Sequence, residues 1–218
     1  GDPDARIGGR VLSGLLLVAR SPYLIAITAV ILIGSTAAAF MYNEFLRFVE
    51  ASSPDLASRG QFLGRIEFAV SLTAWLFQGF VVGWLIRRFE LRGALVTIPV
   101  LALGSFLLLA AAPVLLVLAA GQVLRRAGEY GIAKPSREVL FTVVDAETKY
   151  KAKNFIDTAV SRGGDASTGW LVSGVKALGA TTGIVAGVLV PMMLLWGWVG
   201  WRLGRQESAL QRGGPTAR

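Results

Sequence analysis

Long apolar runs separated by short polar stretches set the pattern of this chain. The first extends from Tyr23 to Tyr42, introduced by Ser21-Pro22 and preceded by an amphipathic segment from Val11 to Ala19. The second runs from Phe62 to Ile86, the third from Ala94 to Ala112, and the fourth from Val114 to Ala133, divided from the third by Pro113. The fifth, Asn154 to Leu178, is weaker because it holds Asp157, Arg162 and Asp165; the sixth is Thr181 to Leu203. A span needs about 20 apolar residues, so each run predicts one transmembrane helix. The chain thus reads as residues 1–20, an amphipathic linker; 21–203, a six-span bundle; and 204–218, a polar, disordered tail. Pro22 suits the first helical position, and Pro99 predicts a kink in the third span that its neighbours must accommodate.

Composition narrows the class. Of 218 residues, 54% are hydrophobic and 17% charged, a balance foreign to a soluble domain and natural to an all-α integral membrane protein. Histidine and cysteine are both absent, which removes thiol chemistry, Cys/His metal sites and disulfides, and with no catalytic constellation in view the chain is not read as an enzyme. No metal and no cofactor is expected. The net charge of +8 is explained by topology rather than by nucleic acid. In and beside the connecting segments, fifteen basic residues from Arg6 to Arg218 fall on one side, against only Arg47, Arg59 and Lys176 on the other, and the richer side is cytoplasmic. Both termini are therefore expected in the cytoplasm, with the chain in a cell inner membrane. The chain opens at Gly1 and reads as a fragment or an excised half.

Ionisable residues at membrane depth are expensive and mark functional interiors. Span four carries Arg125, Arg126 and Glu129, spaced so that one carboxylate can neutralise either arginine on a helix face. Span five carries Asp157 and the i,i+3 pair Arg162 and Asp165, and span two carries Arg65 and Glu67 near its outer end. Each pair is read equally as a substrate contact or as a bridge that only holds helices together. A basic connection from Lys134 to Lys153 joins spans four and five, with Ser136 to Val144 as a short interfacial helix. Small residues along span five (Ala159, Gly163, Gly164, Ser167, Gly169) and the Gly183-x-x-x-Gly187 pattern of span six predict close helix packing.

Two resemblances follow from these residues. Gly83-Trp84-Leu85-Ile86-Arg87-Arg88-Phe89-Glu90-Leu91-Arg92 resembles the loop signature of the major facilitator superfamily, with Arg87 in place of the usual acid and Glu90 in place of the usual second glycine. The ordered blocks Lys134-Pro135-Ser136-Arg137-Glu138, Lys149-Tyr150-Lys151-Ala152-Lys153-Asn154-Phe155-Ile156-Asp157 and Arg162-Gly163-Gly164-Asp165 resemble the ATP/ADP translocase family. The resemblance implies the C-terminal six-span half of a twelve-span, major-facilitator-like carrier, with a 3+3 inverted repeat, partnered by an N-terminal half in the bilayer and exchanging ATP for ADP by alternating access. Its matching residues nominate Lys134, Arg137, Lys149, Lys151, Lys153, Asn154 and Arg162 as substrate contacts and Asp157 and Asp165 as gating or bridging acids, and the membrane-depth charges add Arg125 and Arg126 to the first group and Glu129 and Glu67 to the second. The alternatives are a carrier for another organic anion or metabolite, and a non-transporting membrane scaffold.

Overall fold

The computed structural model describes residues 11–53, 55–144 and 146–212, so the residues before Val11 and those after Arg212, including parts of the linker and tail named above, lie outside the described residues. The described elements are helical. α1 is Val11–Arg20 and α2 is Pro22–Ser52. α2 starts where Ser21, in extended backbone, accepts a hydrogen bond from the Leu24 amide and Pro22 supplies a first-turn residue with no amide to satisfy. α3 is Leu56–Leu76, capped by Asp55, whose carboxylate accepts from the Ser58 amide at 2.7 Å. That bond holds the Asp55 carboxyl below its usual value. After a π-helical turn at Phe77–Val81 follows α4, Val82–Ala111. α5 is Leu115–Gly128, followed by a π turn at Glu129–Ala133 and by α6, Lys134–Leu140. α7 is Ala146–Phe155, a third π turn covers Ile156–Val160, α8 is Ser161–Ala177 and α9 is Thr182–Arg212.

Among the described residues, three helical stretches are long and apolar enough to cross a membrane: Pro22–Ser52, Leu56–Ala111 and Thr182–Gln211. The middle one bends sharply at Glu90, where φ is 59° and ψ is −170°, a region that only glycine visits without strain. This is the residue that replaces a glycine in the loop signature. The bend separates the second apolar run from the third.

Several helices outrun the apolar runs that announced them. α6 prolongs α5 through the π turn instead of standing as an interfacial helix over Ser136 to Val144, whose second half is a turn. The basic connection is mostly helical, because α6 and α7 take up all of its described residues except the turn at 141–144. α9 continues nine residues past Leu203, and Leu203, Gly204 and Glu207 are buried there, which removes the first part of the supposed disordered tail. Polar residues ended the runs by composition, but helix hydrogen bonding continues wherever packing supports it.

The most extensive seam joins α4 to α9. It is antiparallel and made by glycine: a Cβ on Gly204 would lie 2.5 Å from the Arg92 Cα, one on Gly200 would lie 3.2 Å from the Leu95 carbonyl oxygen, and one on Gly183 would lie 3.1 Å from that of Ala110. Pro99 has no amide to offer Leu95 four residues back, so the carbonyl beside Gly200 is the one that the proline releases. Elsewhere α2 packs on α5, α8 and α9, while α5 packs on α2, α3 and α4. Exchanging α2, α3 and α4 for α5, α8 and α9 leaves these pairings unchanged. Phe40, Phe45, Met41 and Phe106 are fully buried between the helices, with Phe40 and Phe106 ring centroids 5.6 Å apart. Leu116, Val188 and Phe68 are at least 70% exposed, as lipid-facing side chains are.

On α8, Gly164 meets Leu32 and Ser35 of α2, whereas a Cβ on Gly163, Gly169 or Gly174 would meet nothing. Only one side of the small-residue stretch is used for packing within this chain.

Two substitutions test these contacts. Gly204→Ala should lower stability by about 1–3 kcal/mol, the scale of overpacking against backbone, in thermal unfolding of the detergent-solubilised protein, and Gly169→Ala should leave it unchanged or raise it. Glu90→Gly should stabilise by roughly 1 kcal/mol through relief of backbone strain, and Glu90→Ala, which keeps the Cβ, should not.

Candidate functional site

A cavity of about 770 Å³ opens among α2, α4, the α5–α6 rod, α7 and α9. One wall is apolar, formed by Val30, Ile31, Ala94, Leu95, Ile98 and Trp196; the other carries Arg125, Glu129, Lys134, Arg137, Glu138, Lys153 and Asp157. The volume suits a ligand of nucleotide or drug size.

Each of the three π turns brings a polar side chain to this space: Gln78 from the first, Glu129 and Tyr130 from the second, Asp157 from the third. An inserted residue of this kind is common at functional sites. The first and second turns cross at Gly131, where a Cβ would fall 2.7 Å from the Phe77 Cβ and 2.8 Å from the Ala74 carbonyl oxygen. Glycine is required by that crossing.

Within the cavity the charges are linked. Arg137 donates to the Glu129 carboxylate, and Lys153 on α7 donates to Glu138 on α6. The Lys134 ammonium lies 4.4 Å from the Tyr130 ring centroid, and an Arg125 NH group is 3.4 Å from the Gln122 amide oxygen. The Glu129–Arg137 pair depends on the π turn. At about 100° per residue a separation of eight would leave the two about 80° apart around a regular α-helix; one inserted residue makes it equivalent to seven, within about 20° of two full turns.

Of the residues nominated by sequence, Arg125, Lys134, Arg137, Lys153, Glu129 and Asp157 line the cavity. The others do not. Arg126 forms an ion pair with Glu67, tying α5 to α3, so its carboxylate is Glu67 and not Glu129. Arg162 is exposed on α8, and Asp165 lies one turn further along it, its side chain outside the described residues. Lys149 and Lys151 are half-buried on α7, and Gly14 of α1 rests on the carbonyl of Lys151. Asn154 is exposed and accepts a hydrogen bond from Thr158 at 3.3 Å.

Sequence reasoning passed over Gln78, Tyr130, Glu138 and Trp196. Glu138 was legible, since it sits within the quoted motif; the other three reach the cavity only through helix crossings. It also passed over Glu44. That carboxylate is 1% exposed and accepts hydrogen bonds from Lys176 on α8 and, at 2.6 Å, from Thr182 on α9, with Arg47 3.2 Å away. Glu44 is 21 residues along α2 from Tyr23, whose hydroxyl donates to the Leu140 carbonyl at 2.9 Å, so polar ties fasten α2 near both ends. No group of histidine, cysteine or acidic residues placed to hold a metal occurs among the described residues.

An all-helical chain with several membrane-length apolar helices and a charged interior cavity is a multi-pass membrane protein. Compared with known proteins, it is 24% identical over 206 residues to ADP,ATP carrier protein 1 of Chlamydia pneumoniae, covering 83% of this chain and 40% of the carrier. It is 23% identical over 202 residues to ADP,ATP carrier protein 1 of Chlamydia trachomatis, covering 81% of this chain and 38% of that carrier. The chain therefore spans about two fifths of the length of the curated relatives it matches, and these relatives are carriers, not enzymes. No family model and no solved structure matches it.

If Glu129 and Arg137 stabilise the rod through their ion pair, Glu129→Ala should cost about 1–2 kcal/mol, since both groups are partly exposed and the interaction is discounted for screening. The exchange Glu129→Arg with Arg137→Glu should recover most of the folded yield, measured by size-exclusion fluorescence.

Proposed function

We propose that this chain is the C-terminal six-span half of a nucleotide carrier of the ATP/ADP translocase family, exchanging nucleoside tri- and diphosphates across a cell inner membrane by alternating access. The observation that carries the reading is the convergence of Lys134, Arg137, Glu138, Lys153 and Asp157 on one cavity. These residues belong to two of the three sequence blocks that resemble the family, and the chain is similar over most of its length to two ADP,ATP carriers.

Six spans with both termini cytoplasmic agree with the asymmetry of basic residues and with the bend at Glu90, which divides Leu56–Ala111 into two rods. The unchanged pairings on exchange of the two helix triplets support a 3+3 inverted repeat of major-facilitator type. In this reading Arg125, Lys134, Arg137 and Lys153 neutralise the polyphosphate, with guanidinium groups binding its oxygens bidentately. Glu129 and Glu138 hold Arg137 and Lys153 when substrate is absent and yield them when it binds, so an empty site relaxes into internal ion pairs. Asp157 bridges to the basic wall in the same way. Arg126, Arg162, Lys149, Lys151 and Asn154 lie outside the cavity of this half, and substrate contact is assigned to the four basic residues inside it. The N-terminal half supplies the opposite wall.

The test is uptake and counterflow of labelled ATP and ADP by the full-length protein in vesicles. Arg125→Lys, which keeps charge and loses the planar fork, should weaken apparent nucleotide affinity by about 1–3 kcal/mol at unchanged folded yield, and Arg162→Lys should leave affinity unaltered. The converse result would move the binding site from this cavity to α8. Counterflow driven by another organic anion and not by nucleotides would replace the substrate.

A further inference from the structure

The exposed face of α9 changes character along its length in a way that the cavity does not explain. Ile184, Val188, Pro191 and Leu195 form an outward apolar stripe at helical spacing. On the same face Trp198 and Trp201 come next, half exposed, and then Arg202 and Arg205, also exposed. The Arg202 guanidinium carbon sits 4.4 Å from the Trp198 ring centroid and that of Arg205 sits 4.9 Å from Trp201. Neither arginine forms an ion pair among the described residues. Together with Gln206 and Ala209 these four side chains enclose an open groove of about 550 Å³.

From the aromatic belt onward this order matches one leaflet of a bilayer read from acyl chain to headgroup. Leu195 and Arg202 are separated by roughly 10 Å along the axis, at 1.5 Å per residue. Apolar side chains would lie along the acyl chain, tryptophans at the glycerol level and arginines at the phosphate. The contact with an indole ring limits each guanidinium's freedom before a ligand arrives, and a guanidinium has more N–H donors than one ring contact can occupy, so donors remain for oxygens. We propose that this groove is a binding site for the headgroup of an anionic phospholipid, with Arg202 and Arg205 clamping the phosphate and the stripe from Val188 to Leu195 holding one acyl chain. Charge complementarity selects an anionic over a zwitterionic lipid, and the apolar stripe continuous with the groove selects a lipid over free phosphate. The proposal rests on the membrane reading of α9 and not on the nucleotide reading of the cavity.

Native mass spectrometry of the full-length protein, delipidated in detergent and titrated with phosphatidylglycerol or phosphatidylcholine, tests it. Phosphatidylglycerol should be retained in preference to phosphatidylcholine. Each arginine at an anionic headgroup contributes about fivefold in affinity, so Arg202→Gln combined with Arg205→Gln should weaken phosphatidylglycerol binding roughly thirtyfold, with the melting temperature in phosphatidylcholine unchanged. If the double variant does not fold, either single variant carries the test with about a fivefold loss. Arg65→Gln, which removes an exposed charge on α3, should leave lipid binding as it was, and millimolar inorganic phosphate should not displace the lipid. Equal retention of the two lipids, a double variant that binds like the parent, an equal loss on Arg65→Gln, or displacement by inorganic phosphate would overturn the proposal.

Discussion

Helices in lipid gain nothing from hiding apolar surface from one another, because the surrounding tails are as apolar as leucine. What remains is close backbone approach, and the α4–α9 seam supplies it through Gly183, Gly200 and Gly204. The rest of the bundle is arranged around that contact. α4 packs along α9, α2 and α5 pack on each other and on this pair, and all four contribute to the lining of the cavity. A proline that would weaken an isolated helix is tolerated here, since the carbonyl released by Pro99 lies against a glycine with no side chain to block it.

The second constraint is the cost of charge at membrane depth. Acids and bases inside the bundle meet across helices: Arg126 with Glu67, Lys176 with Glu44, Lys153 with Glu138. The pairs divide by position. Glu44, 1% exposed and held by partners from α8 and α9, has the burial of a structural tie, because removing one partner of such a pair strands the other. The cavity pairs are about a quarter to a half exposed, so water or a ligand can compete for them at lower cost.

The fold was legible where periodicity and composition agree. Ser21-Pro22 announced the start of α2, Pro113 the break before α5, and the loop signature placed a glycine where Glu90 now takes a glycine's backbone angles. Helix ends were not legible, because α6, α7 and the last part of α9 are polar and owe their order to contacts such as Gly204 on Arg92 and Gly14 on α7. In the site, the motif blocks led to Lys134, Arg137, Lys153 and Asp157. Spacing rules misled at Glu129: Arg125 and Arg126 do precede it at i,i+4 and i,i+3 on regular helix, but Glu67 of α3 takes Arg126, and Arg137, brought round beyond the π turn, takes Glu129. Trp196 and Gln78 were beyond reach, since their presence at the cavity is a consequence of how α9 and α3 cross their neighbours.

The same π turns connect the architecture to its chemistry. A regular helix through Glu129–Ala133 would turn Arg137 about 80° around the axis from Glu129, whereas the Lys134–Tyr130 contact, at i,i+4, would survive in either geometry. The inserted residue gathers those groups onto one side, and Gly131 makes room for it by letting the Phe77–Val81 turn pass at near contact. Each turn exchanges some regularity of backbone hydrogen bonding for a side chain delivered to the cavity. That exchange is worth making only where the delivered groups are used, and all three turns deliver theirs to the one cavity, whose apolar lining comes in part from Leu95, Ile98 and Trp196 of the α4–α9 seam.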